Sequence, residues 1–405
     1  MVHDLVANTN SFFSAGHSAK DLKRTMRALL DEIATAFQHD LPAALPLAKA
    51  ARRLAAEIDI PCYRHCADHW ELSRLSLVGD LEAAREHLER TTEPSCRYCR
   101  ADKLWRRASL FRKLALGSGF PKDVALEAAE EARTFATTLA EDERSRGFPP
   151  DSSPLEALLA RSVFQLGASR FLLSLDPGGS SLLFETAHSL TRAPRTKIGA
   201  RWWDRYLPCP CLPTAVARDA INNSAFVNLA VVLARMDDSD SRRRARAIAR
   251  SLADGTPLPA LINARVKWML ATLMIDDWKE AKKVGDRGKM QASREACVRY
   301  LDMAIALMSQ NHETPANVVA LFCDCARLPW VHNQSAAIYR LLMENERFPA
   351  AQLETYIKAL EPALYDQLLA AARADRHRVV AAAVERLRQV TVKNRAWPSF
   401  MPKAA

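Results

Sequence analysis

Apolar residues recur three and four positions apart along most of this chain, which is the spacing that places side chains on one face of an α-helix. No run alternates between apolar and polar positions for long enough to predict a β-sheet. The pattern predicts helices at 19–37, 41–58, 62–78, 81–90, 96–116, 122–141, 155–175, 180–191, 215–236, 241–253, 258–276, 292–309, 315–326, 334–344, 350–360, 362–374 and 377–392. We therefore expect an all-α fold.

Helix-breaking residues separate these helices. Gly79 and Asp80 leave only a short turn between two predicted helices, and Pro121 stands where helices favour proline at their start. The polar or proline-rich segments 142–153 and 192–213 are linker candidates, and the strongly charged segment 279–291 is expected to be a loop. We predict N-terminal helices over 1–60, helical repeats over 61–191, a linker over 192–213, C-terminal helical repeats over 214–392 and a tail over 393–405.

A short motif suggests how the helices are arranged. The chain reads Gly79-Asp80-Leu-Glu-Ala-Ala84-Arg-Glu-His-Leu88. This resembles the second helix of a tetratricopeptide repeat: glycine at the inter-helix turn, alanine where helices approach, and leucine packing beyond it. The resemblance is clear over 62–95 and weaker elsewhere. It implies antiparallel helix pairs in a right-handed α-solenoid that binds other proteins on its concave face, and an irregular helical bundle is the alternative.

Composition limits the fold and the compartment. The 405 residues are 49% hydrophobic and 26% charged, which provides for a large buried core. Only 12 glycines argue against a β-rich fold and against nucleotide-binding α/β folds, whose phosphate loops need glycine. Neither a secretory signal nor an apolar stretch of membrane-spanning length is visible. We therefore expect a cytoplasmic protein without a membrane partner, in which cysteines are thiols or metal ligands.

Metal-ligating residue types are concentrated in two short segments. Each group is spaced so that its members share one face of a predicted helix. The members are Cys62, His65, Cys66 and His69 in the first segment, and Cys96 and Cys99 in the second. Cys62 and Cys96 are 34 positions apart, the length of one tetratricopeptide unit. Since first helices of adjacent units lie side by side, we expect the two groups to meet.

These thiols suggest a structural metal site. Thiolates from Cys62, Cys66, Cys96 and Cys99 would form a closed tetrahedral zinc site, in which His65 or His69 is an alternative ligand. Burial as small core residues is the competing interpretation, and a redox role is a third. The pairs Cys209–Cys211 and Cys323–Cys325 are weaker candidates, because one Cys-x-Cys pair cannot complete a four-ligand site and neither has a visible partner pair.

An unusual segment combines arginines with aromatic residues between prolines. Its members are Arg201, Trp202, Trp203, Arg205 and Tyr206. This composition is typical of protein-interaction hot spots, so we take these residues as candidate partner contacts. It also fits single-stranded nucleic acid, in which bases stack on aromatic rings. The simplest alternative is that both tryptophans are buried and the arginines are solvated.

The chain is also basic. Its net charge of +10 suits an anionic partner such as nucleic acid. Candidate phosphate contacts lie on two predicted helices and are Arg106, Arg107, Lys113, Arg242, Arg243 and Arg246. A solvated helix face is the alternative for the second cluster, because Asp238 stands four positions before Arg242.

The sequence has no P-loop, dinucleotide-binding, zinc-protease or nucleophile-elbow motif. We therefore predict a non-enzymatic helical-repeat adaptor that binds a protein partner within a larger assembly and has no small-molecule substrate. The alternative is an RNA- or single-stranded-DNA-binding accessory subunit of a ribonucleoprotein or regulatory complex. An enzyme built from scattered residues is a third hypothesis.

Overall fold

The computed structural model describes residues 19–39, 41–57, 61–78, 80–117, 119–146, 153–174, 176–192, 209–213, 215–236, 238–254 and 258–311, with positions 321 and 330. Twelve α-helices cover most of these ranges, which contain no strand. The predicted all-α fold is confirmed. The Arg/Trp segment 201–206, the pair Cys323–Cys325, the tail and, apart from those two positions, the helices predicted after 315 lie outside the described residues.

The helix bounds follow the hydrophobic pattern closely. The helices are α1 (Ala19–His39), α2 (Leu41–Glu57), α3 (Pro61–Val78), α4 (Leu81–Arg90), α5 (Arg97–Gly117), α6 (Lys122–Ser145), α7 (Ser153–Ser169), α8 (Pro177–Arg192), α9 (Ala215–Arg235), α10 (Ser239–Asp254), α11 (Ala260–Lys283) and α12 (Arg287–Gln310). A π-helical turn, Arg170–Ser174, follows α7 directly. The chain divides into two compact units, Met1–Leu229 and Ala230–Ala405.

In the first unit, consecutive helices form pairs and the pairs stack. Helix α3 packs against α4, α5 against α6, and α7 against α8. Helix α3 also contacts α5, and α5 contacts α7, so the first members of successive pairs lie side by side. Helices α1 and α2 pack on each other, and α2 packs on α3. These sequential antiparallel pairs are the arrangement that the tetratricopeptide resemblance predicts.

Small residues allow these helices to approach closely. Ala84, the alanine of the tetratricopeptide-like motif, is fully buried among leucines of α3, α4 and α5. A Cβ atom at Gly167 in α7 would lie 3.2 Å from the Cβ of Leu183 in α8, which is tighter than ordinary contact. The helix starts are encoded locally as well, since the Asp80 carboxylate accepts a hydrogen bond from the Ala83 N–H at 3.2 Å.

In the second unit, α11 and α12 extend further than the sequence pattern predicts. The charged segment 279–291 was predicted to be a loop, but α11 continues to Lys283 and α12 begins at Arg287. Only a tight turn separates them, in which Gly285 has φ 72° and Asp286 caps α12 by accepting from the Lys289 N–H at 3.0 Å. The prediction was wrong because lysine, glutamate and arginine are good helix formers whose charges stay solvated on an exposed face.

None of the described helices is both long enough and apolar enough to cross a lipid bilayer.

Candidate metal centre

Three segments of the first unit converge on one cluster of thiols. Helix α3 starts at Pro61, a favoured first position, so Cys62 lies in its first turn. The Cys96 carbonyl accepts from the Arg100 N–H at 2.9 Å, which places Cys96 immediately before α5 and Cys99 in the first turn of that helix. Because α3 and α5 pack side by side, these helix starts meet. The third segment is the short stretch 209–213.

Four sulfur atoms form the centre of this cluster. They belong to Cys62, Cys96, Cys99 and Cys209 and all lie within 4.8 Å of one another. The Sγ atoms of Cys99 and Cys209 are 3.2 Å apart, and the Cys99 thiol is 3.9 Å from the Cys62 carbonyl oxygen. A tetrahedral ion with Zn–S bonds of about 2.3 Å needs sulfurs roughly 3.8 Å apart, so this spacing suits a single ion. The group could hold a metal ion.

The stretch 209–213 is fixed by two parts of the core. Cys209 and Cys211 are buried with α1, α2, α3 and the start of α5, whereas Leu212 packs with residues of α5, α6 and α7. The Cys211 N–H also points to the Cys209 Sγ at 3.4 Å, an arrangement that N–H groups make around thiolates. This pair was a weaker candidate in the sequence for want of a partner pair, and the structure supplies that partner in the helix starts.

Cys66 does not join the four-thiol group. It lies one turn after Cys62 in α3, is 2% exposed, and has its Sγ 3.8 Å from the Pro210 carbonyl oxygen. Of the alternative histidine ligands, His65 is half-buried, and its pKa is lowered by burial. His69 is buried and places Nδ1 2.7 Å from Asp102 Oδ2. The sequence thus selected three of the four clustered thiols, and Cys209 occupies the place expected for Cys66.

The thiols share protons unequally. The hydrogen bond with Cys209, followed by burial, raises the pKa of Cys62 far above its usual range. Hydrogen bonds with Cys209 and then Cys99 lower the pKa of Cys96 instead. Cys96 also stands at the N-terminus of α5, where the helix dipole favours the negative charge of a thiolate. Proton release of this kind is what metal binding by thiols requires.

A buried ion network adjoins the thiols. Asp102 is 1% exposed and accepts hydrogen bonds from Arg106 Nε at 3.0 Å, Arg161 at 3.3 Å and the Trp105 indole at 2.8 Å, besides contacting His69. Burial opposes ionisation of this carboxyl, but the charge of Arg106 and the contact with His69 prevail and hold its pKa well below the usual range. Asp102 was not among the site residues predicted from the sequence, although its 33-position spacing from His69 could have indicated it.

The candidate phosphate contacts of the first unit already have protein partners. Arg106 is 5% exposed and is engaged with Asp102 and Ser73. Arg107 pairs with Glu131, and Lys113 donates to the hydroxyl and carbonyl oxygens of Ser76. In the second unit, Arg243 pairs with Asp240, Arg246 pairs with Asp277, and Arg242 is half-buried. The Arg243 side chain extends into solvent and is 77% exposed.

Neither the known protein-family models nor the curated proteins contain a match to this sequence.

Proposed function

We propose that this chain is a non-catalytic helical-repeat adaptor whose first unit is held in shape by a structural zinc ion on Cys62, Cys96, Cys99 and Cys209. The observation that carries the proposal is the four-thiol group itself, because it unites two helix starts and a distant stretch of chain. Four protein ligands leave no position for water or substrate, which is the pattern of structural sites and not of catalytic ones.

Zinc fits the donor set. Thiolate sulfur favours zinc over magnesium or calcium, and the separations in this group suit a tetrahedral ion. The ion would join α3, α5 and the stretch 209–213, whose cysteines share one apolar cluster with Cys66 of α3 and Cys99 of α5. Its binding free energy would then contribute directly to the stability of the first unit.

The site also gives the adaptor proposal a physical basis. The candidate contact segment ends at Tyr206, three residues before Cys209. An ion on Cys209 would anchor the chain three residues after this segment, and a fixed attachment reduces the entropy lost when a segment binds a partner. Partner binding through Trp202 and Trp203 is therefore expected to depend on zinc.

The first experiment measures metal content. The full chain, purified under reducing conditions without chelator, is analysed by elemental mass spectrometry and should contain zinc. Cys62→Ser and Cys209→Ser should lower the zinc content, whereas Cys297→Ser, which changes a buried thiol outside the cluster, should leave it unchanged. A chain that contains no zinc, and takes none up when reconstituted, contradicts the proposal.

The second experiment tests the adaptor role. Cross-linking and affinity purification from native lysate are compared for the parent chain, Cys209→Ser and Arg205→Gln, with Arg243→Gln as a control at an exposed arginine. We expect a partner that is lost with Cys209→Ser and Arg205→Gln and retained with the control. Binding to mixed-sequence RNA or DNA that weakens steeply with salt would instead favour the nucleic-acid alternative.

A further inference from the structure

The same three segments that form the four-thiol group present a second set of donor atoms. The second set consists of His69, Asp102 and Cys211, whose ligand atoms also lie within 4.8 Å of one another. Helix α3 contributes Cys62 to the first set and His69 two turns later, and α5 contributes Cys99 and then Asp102. Because α3 and α5 pack side by side, the second set lies further along both helices than the first set. The stretch 209–213 contributes Cys209 to the first and Cys211 to the second.

The geometry of the second set suits a small cation. His69 Nδ1 is 3.9 Å from Cys211 Sγ and 2.7 Å from Asp102 Oδ2. All three residues are at most 4% exposed. The contact with Asp102 occupies His69 Nδ1, whereas His69 Nε2 is buried and has no hydrogen-bond partner in the described part of the chain, so Nε2 is the ring nitrogen left for a ligand. Imidazole, thiolate and carboxylate are together the donors that zinc binds.

Cys66 lies next to this set, outside the three residues whose ligand atoms are all within 4.8 Å of one another. It lines the same cavity as Asp102 and Cys211. Cys66 and His69 are three positions apart in α3 and therefore share a face. This thiol has no place in the first set, so the second set accounts for it.

Charge also favours an anionic metal-thiolate site at this position. Arg106 and Arg161 both contact Asp102, so two buried or nearly buried cations face one carboxylate. Both arginines line the cavity with Cys66 and Cys211. Two thiolates and the Asp102 carboxylate together outweigh the charge of one Zn²⁺, so the occupied site would be anionic and would face both arginines.

We propose that a second ion of the zinc class binds Cys66, His69, Asp102 and Cys211, directly beside the four-thiol ion. The two sites would be neighbours, because Cys211 Sγ is 3.5 Å from Cys99 Sγ. The inference rests on the proposed function only in treating the four-thiol group as the first metal site.

The decisive experiment counts metal ions on the full chain. After zinc reconstitution and removal of loose metal, elemental mass spectrometry should find two zinc ions per chain. Cys211→Ser and Cys66→Ser should each retain one, Cys62→Ser should lose the first ion, and Cys297→Ser should retain two. A parent chain that holds only one ion, which Cys211→Ser and Cys66→Ser also retain, overturns the second site alone. No ion at all overturns both sites, so the two failures can be distinguished.

A measurement on the unchanged chain avoids dependence on variants that fold poorly. Stepwise addition of an organomercurial in the presence of a zinc-sensitive dye should release zinc in two phases. Cobalt reconstitution gives an independent reading, because the sulfur-to-cobalt charge-transfer absorption should rise through two additions of metal. A single phase of release, together with saturation after one cobalt ion, contradicts the second site.

Discussion

The Sγ atoms of Cys99 and Cys209 lie 3.2 Å apart although 110 positions separate the two residues. Cys99 is in the first turn of α5, whereas Cys209 belongs to a short turn whose neighbouring residue Leu212 packs on α5, α6 and α7. The pair therefore fixes the stretch 209–213 against the stacked helices. It also converts two separate cysteine motifs into one donor group.

Removal of metal should destabilise the chain. At free zinc a hundredfold above Kd, one bound ion stabilises the folded state by about 2.7 kcal/mol relative to the metal-free chain. Thermal unfolding followed by circular dichroism should thus shift to lower temperature after chelation and recover on addition of zinc. Magnesium serves as the control and should not restore the transition. Equal unfolding temperatures with and without zinc would count against a structural ion.

The buried arginine beside Asp102 should matter far more than its neighbour in sequence. Arg106 is 5% exposed, pairs with Asp102, and lies over the rings of Trp70 and Trp105. Arg106→Met breaks a buried ion pair, which costs about 3–5 kcal/mol in the free energy of unfolding. Arg107→Met removes a surface pair with Glu131 and a contact over the Phe111 ring, and should cost about 1 kcal/mol. Denaturant unfolding of both variants measures the difference, and similar costs would mean that the buried network contributes little.

The alanine of the tetratricopeptide-like motif should tolerate no larger side chain. Ala84 is 0% exposed between α3, α4 and α5, so Ala84→Leu must displace the surrounding leucines. Overpacking of this kind costs about 1–3 kcal/mol. Ala83→Leu, at the adjacent half-buried position, is the matched control and should change stability much less. If denaturant midpoints of the two variants coincide, close helix approach at Ala84 is not a constraint.

Stability should increase with pH in a window set by Lys113. Its ammonium donates to Ser76, and burial, assisted by the charge of Arg112, lowers its pKa to about 7. In the unfolded chain the pKa of lysine is about 10.4. Between these two pKa values the lysine is protonated in the unfolded state and neutral in the folded state, so the free energy of unfolding rises with pH. The cost of burying the charge is present in full only below pH 7.

Replacement of this lysine isolates its contribution. The stability of Lys113→Met relative to the parent should be greatest near pH 6 and should decline towards pH 10, as measured by denaturant unfolding at each pH. Lys122→Met, at an exposed lysine, should run parallel to the parent over the whole range. Parallel curves for Lys113→Met as well would show that the ammonium is not perturbed by folding.

Local pattern was sufficient to determine the secondary structure and much of the first donor group. The spacing of apolar residues at three and four positions predicted the helices, and Gly79 and Asp80 predicted the turn before α4. The 34-position interval predicted that Cys62 lies near the helix start that carries Cys96. These features depend on residues close in sequence or on a fixed helix-pair length, so they are visible without coordinates. The prediction of a loop over 279–291 was wrong because charged residues indicate exposure to solvent and not backbone conformation.

The remainder was decided by tertiary structure. Cys209, and not Cys66, completes the four-thiol group because the stretch 209–213 returns to the starts of α3 and α5 across a long interval of chain. Asp102 contacts His69 because α3 and α5 pack side by side. No short-range spacing encodes that return, since it depends on how apolar side chains such as Leu212 fill the space between stacked helices. The sequence thus determined which elements carry donor atoms, and packing determined which donors meet.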